Sequence, residues 1–150
     1  NKAFDQPKRY VFSKELALDW NAPFFNLPGQ KVVVTSKRSL PKSVRKIKNL
    51  SLLSCKSKGR FLDPKNFIEK ISRFQINNIL LESGPNLLGS FGDVNLIDEF
   101  IFYISPEKLG SQAEYFYKGK NKINFFDNEQ FDIVEETQVG KDKKIVFRKK

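Results

Sequence analysis

Histidine and methionine are both absent from this 150-residue chain, and Cys55 is its only cysteine. Without histidine there is no Ser–His–Asp triad and no histidine-ligated zinc site. A nucleophilic cysteine ordinarily wants a histidine partner, so Cys55, beside an apolar strand-like stretch, reads as a half-buried structural thiol. A single cysteine forms no disulfide within the chain, which points to a reducing compartment and so to the cytoplasm. Long apolar runs are missing as well. None approaches the ~20 residues of a membrane helix, and the polar, charged amino end shows no signal-peptide pattern. The chain opens at Asn1 without an initiator, so it is expected to be a processed or excised piece of something longer.

What is present is a globular composition. Hydrophobic residues make up 39%, and 15 phenylalanines dominate the aromatics, which excludes a disordered chain. Residues 1–150 fit one domain with a real core. The formal net charge is +10. Such a balance suits nucleic acid, anionic lipid or phosphorylated small molecules. The charge is scattered, however, as on a generally lysine-rich surface. The dense runs are Leu40 to Lys48 and the Arg148-Lys149-Lys150 tail, neither interleaved with aromatics, which argues against nucleic acid.

The elements follow from local pattern. Lys8 to Phe12 is a short β-type run. Asp19 to Gln30, with Pro23, Pro28 and Gly29, reads as loop. Lys31 to Thr35 holds three consecutive valines and so reads as a parallel strand buried on both faces. Leu50 to Ser54 is a third short strand. Asp63-Pro64 starts a helix as N-cap and first helical residue, and Phe67, Ile68, Ile71 and Phe74 follow at helical spacing. Ile79 to Glu82 reads as a fourth strand and Pro85 to Phe91 as a short helix. Asp98 to Ser105 is a strand closed by Pro106. Phe131 to Val139 and Lys144 to Arg148 flank Gly140-Lys141-Asp142 as a hairpin. The whole is α/β: a mainly parallel sheet with helices on both faces and an antiparallel C-terminal hairpin.

One segment carries chemistry. In Ile79 to Ser90 an apolar run ends on Glu82 and turns through Gly84 directly into a helix. The first N–H groups of a helix lack backbone partners, and its dipole places partial positive charge at the same end. A phosphate or pyrophosphate is held there without a charged side chain. Glu82 at the end of a strand would face the edge where open α/β sheets bind ligands.

The same residues carry a resemblance. INNILLESGPNLLGSF followed by LIDEFIFYISPEKLGS resembles the reductase domain of the bifunctional riboflavin-biosynthesis deaminase/reductase family, RibD. That family typically shows a strand ending in Glu, a Gly-Pro-Thr-Leu turn into a helix, a Val-Asp-Glu strand entry and an Ala-Pro-Lys-Leu-Leu-Gly exit. Here stand Glu82, Gly84-Pro85-Asn86-Leu87, Ile97-Asp98-Glu99 and Ser105-Pro106-Glu107-Lys108-Leu109-Gly110. The likeness runs from about Pro7 to the carboxyl end and implies a dihydrofolate-reductase-like fold using NADPH. The implied reaction reduces the ribose of a phosphoribosylaminouracil to a ribityl chain. It also implies a phosphorylated pyrimidine substrate and a homodimer.

By the resemblance, Glu82 binds substrate, while Gly84, Pro85, Asn86, Leu87, Leu88, Gly89 and Ser90 cradle the cofactor. Ser13, offset by one position, matches an Asp-Ser strand exit that also meets the cofactor. The family's opening strand, helix and Asp-Pro-x-Leu-Thr-x-Arg segment are not found before Lys8, and the zinc deaminase half has no counterpart. The chain is therefore expected to be a partial reductase domain, truncated at the N-terminus and inactive alone.

Beside each role stands a plainer one. Glu82 could cap the turn, Gly84 and Gly89 could serve packing, and Ser90 could bond back within its helix. Lys37 and Arg38 are candidates for the extra phosphate of NADPH or solvated loop charges, and Trp20 reads as a packing anchor. No catalytic acid–base group and no metal ligands are assigned. A second class of function stays open: a non-catalytic basic α/β module binding a nucleotide, nucleic acid or protein partner.

Overall fold

The computed structural model describes residues 6–121, 123 and 130–150. The chain divides into two compact units, Asn1–Asn77 and Asn78–Lys150.

In the first unit β1 (Arg9–Phe12), β2 (Lys31–Thr35) and β3 (Leu50–Ser54) form a parallel sheet in that order. Val33 lies opposite both Val11 and Leu52. As the central strand, β2 has a neighbour along each edge, and all five of its residues are buried. This matches the continuous valine run. The loop expected over Asp19 to Gln30 contains one helical turn, α1 (Pro23–Asn26), started by Pro23 at its first position. Trp20 packs on Phe25 of that turn with ring centroids 5.0 Å apart. A small hairpin, β4 (Ser57–Lys58) with β5 (Phe61–Leu62), precedes α2 (Pro64–Ile71).

Asp63 caps α2 as its sequence requires, its side chain accepting from the Lys65 amide at 3.0 Å. Phe67 and Ile71 are buried, Ile68 is half-buried, and Phe74, beyond the helix proper, is exposed. The ring of Phe67 meets those of Tyr10 and Phe12 edge-on at 5.4 and 4.8 Å, fastening α2 to β1.

The second unit contains α3 (Pro85–Gly92) and an antiparallel sheet of β6 (Glu99–Ile104), β7 (Phe131–Val139) and β8 (Asp142–Lys149), with β8 in the middle. β7 and β8 form the expected hairpin, closed through Gly140 at φ +63°. Phe100, Phe131, Ile145 and Phe147 make the core of this sheet, and Leu88 of α3 packs against it. The α/β reading holds, with parallel and antiparallel pairing in separate sheets.

The strand expected at Ile79 to Glu82 is not formed. Residues 76–84 have no regular secondary structure. Ile79 is 48% and Leu80 77% exposed. A strand needs a neighbouring edge to satisfy its amides, and among the described strands none pairs with this run.

Candidate functional site

The corner before α3 is open. Glu82, Gly84 and Asn86 are exposed, while Pro85, Leu87 and Leu88 are half-buried. Gly84 is the N-cap at φ −68° and ψ 167°, and no side chain caps the helix. Pro85 has no N–H, so the amides that open the helix are those of Asn86 and Leu87. No acidic residue occupies the first turn. A Cβ built on Gly84 would meet nothing within 4 Å. An uncapped helix start with free space at its cap and no competing carboxylate in its first turn suits the diphosphate of a dinucleotide. Glu82 lies in a segment without regular secondary structure rather than at a strand end.

The remaining residues of the motif have other surroundings. Gly89 is buried, and a Cβ there would lie 2.5 Å from the Gly119 nitrogen and 2.6 Å from the Lys118 carbonyl carbon. Only a hydrogen fits where that backbone crosses the helix. The Lys118 amide donates to the Pro85 carbonyl at 3.1 Å, fixing the crossing segment to the first turn. Ser90 bonds back within the helix, its hydroxyl donating to the Leu87 carbonyl at 2.7 Å.

Tyr117, which sequence reasoning did not single out, sits beside Gly92 and Gly119, where added side chains would collide with its ring. Its hydroxyl is buried without a hydrogen-bond partner among the described residues. Burial, then the nearby Asp93 charge, raises its pKa, so the phenol keeps its proton.

In the first unit, Ser13 lies at the carboxyl end of β1, its amide donating to the Val34 carbonyl at 2.9 Å. Lys37, after β2, forms an ion pair with Glu15, and Arg38 is exposed. Cys55 is buried, and desolvation raises its pKa, leaving a protonated thiol with little nucleophilic character. Among the described residues no group of three His, Cys, Asp or Glu side chains could hold a metal ion. No described helix is long and apolar enough to cross a membrane.

Known proteins share this fold. RibD of Acinetobacter baumannii superposes with a TM-score of 0.76 at 21% identity, covering 96% of this chain and 38% of that one. A Saccharomyces riboflavin biosynthesis reductase gives 0.74 at 15%, covering 97% and 71%. At these identities the likeness speaks for the fold. By sequence, RibD of Buchnera aphidicola subsp. Baizongia pistaciae is 39% identical over 93 residues, which are 62% of this chain and 25% of that protein. The 5-amino-6-(5-phosphoribosylamino)uracil reductase of Buchnera aphidicola subsp. Acyrthosiphon pisum is 27% identical over 152 residues, covering all of this chain and 71% of the relative. The match thus spans about a quarter of the RibD relatives found by sequence and 71% of the reductase. The RibD C-terminal domain model matches residues 1–143. The parallel sheet, the glycine-proline start of α3 and that match agree: the chain belongs to the RibD C-terminal domain family.

Proposed function

We propose that this chain serves the NADPH-dependent reduction of 5-amino-6-(5-phosphoribosylamino)uracil to its ribitylamino product. A relative matched along the whole chain is named for that reduction. When bound, the nicotinamide supplies hydride, and the protein's part is to bind, orient and shield. That division suits a chain without histidine. Residues 1–150 act as one RibD-like reductase domain, in the cytoplasm, with a phosphorylated pyrimidine as substrate.

The observation that carries this reading is the uncapped, open start of α3 at Gly84. The Asn86 and Leu87 amides hold the diphosphate, and Gly84 lets it approach. Glu82, exposed just before the turn, accepts a hydrogen bond from a substrate hydroxyl or ring N–H. Ser13 belongs to the cofactor contacts of the first unit. Gly89 supports the site by keeping Lys118 and Gly119 close to α3. Ser90, whose hydroxyl donates within the helix, retains an acceptor lone pair for a ligand N–H or O–H.

Ligand-dependent melting tests the reading. NADPH raises the melting temperature in proportion to its affinity, and Gly84→Val reduces that affinity at least about tenfold. Equal stabilisation by unrelated polyanions, or an unaltered response in Gly84→Val, would favour the generic basic module instead.

A further inference from the structure

The parallel sheet has a second charged edge, at the amino ends of its strands. Lys31 opens β2 and is only 3% exposed. Its ammonium donates to the Leu27 carbonyl at 2.7 Å and the Gly29 carbonyl at 3.2 Å. Among the described residues no carboxylate pairs with it. Two carbonyls occupy two of its three N–H groups and leave the positive charge uncompensated.

Beside Lys31 lies a cavity of about 500 Å³ whose lining also includes Lys46, Lys48 and Asn49, with Phe25 and Ile47 as apolar wall. Lys46 and Lys48 come from the dense basic run Leu40 to Lys48, which the proposed reductase chemistry does not use. Buried Val44 anchors that run, and the Ile47 amide donates to the Val44 carbonyl at 3.1 Å. Lys46 and Lys48 flank Ile47, are exposed, and have no ion-pair partner among the described residues. Three lysines thus line one concavity together with Phe25, and no carboxylate residue is among its lining.

We propose that this cavity is an anion site distinct from the Gly84 corner, and that it takes a phosphate monoester with a flat apolar body. The phosphate supplies the countercharge that Lys31 lacks and accepts its remaining N–H, with Lys46 and Lys48 closing around the other oxygens. Phe25 and Ile47 cover the apolar body.

Calorimetric titration of the whole chain with phenyl phosphate and with inorganic phosphate tests this. Saturable binding of phenyl phosphate at millimolar or lower concentration is expected, with inorganic phosphate weaker. Both lysines in Lys46→Gln/Lys48→Gln are exposed, so the fold is retained, and binding falls about tenfold or more. Gly84→Val leaves phenyl phosphate binding unchanged, which separates this site from the proposed cofactor corner. Absence of saturable binding up to roughly 10 mM, or affinity unaffected by the double substitution, overturns the proposal. Loss of binding in Gly84→Val overturns it too, by moving the anion to the other corner. Equal affinity for the two phosphates overturns the requirement for an apolar body.

Discussion

Gly84 and Gly89 lie in one short motif and have opposite surroundings. Open space faces the first, at a φ any residue adopts. A side chain at Gly84 is therefore tolerated by the fold, and Gly84→Val is expected to melt within a few degrees of the parent. Gly89 faces the backbone of Lys118 and Gly119. Gly89→Ala must push that segment away from α3, at a cost of about 1–3 kcal/mol, measurable by urea denaturation. A fully stable Gly89→Ala would contradict the close crossing. For Glu82, replacement by Gln in a protein that turns over substrate is expected to weaken substrate binding about 10- to 100-fold, the scale of a charged hydrogen bond. Unchanged substrate affinity would remove Glu82 from the site. The sequence marked both glycines but could not separate their roles, because the crossing segment arrives from far along the chain.

At the scale of elements, whatever rests on short-range rules was legible. β2 and β3 have the bounds their apolar runs announce, and α2 starts after Asp63 at Pro64. Asp63→Ala removes the cap and is expected to cost about 1 kcal/mol. Phe67 joins α2 to β1 through two ring contacts. Truncation to Ala is expected to cost about 3–5 kcal/mol, and a loss below 1 kcal/mol by the same denaturation would mean that these rings do not hold the helix. The run at Ile79 to Glu82 shows where such rules stop. Its composition is that of a strand, yet a strand exists only with a partner edge, and pairing is not written in the run itself. The exit of α3 toward Asp93 and the crossing segment at Lys118 depend on long-range packing in the same way.

For the whole molecule the absence of histidine has a thermodynamic consequence. No side chain has an ordinary pKa between that of Glu and that of Cys. The Glu135 carboxyl is held below its ordinary value of 4.5, first by its hydrogen bond from Lys144 and then by that residue's charge. Glu15 is lowered likewise by its bond from Lys37. A lowered carboxyl binds fewer protons folded than unfolded, so its stabilisation is complete above the ordinary value and is lost as pH falls through the folded one. Lys144 is raised by the bond to Glu135, so its share is complete below 10.5 and is lost as pH rises through its folded pKa. Both pairs are exposed, and their contributions are small. The expected profile is a plateau in melting temperature between about pH 5.5 and 8.5, with a fall below pH 4.5. A step near pH 6.5 would mean that some other group titrates there. The α/β class and the family were readable from composition, apolar runs and linked motifs. The separation of parallel and antiparallel strands into different sheets was not, because each strand's partners are chosen by the packed core.

The central claim is that the amides opening α3 grip the diphosphate of a nicotinamide dinucleotide. Amide chemical shifts of the ¹⁵N-labelled chain during NADPH titration test it most directly. The Asn86 and Leu87 amides should move with a single saturating isotherm, and Gly84→Val should suppress the movement while leaving the rest of the spectrum intact. Saturation of NADPH binding with those two amides unmoved would contradict the account.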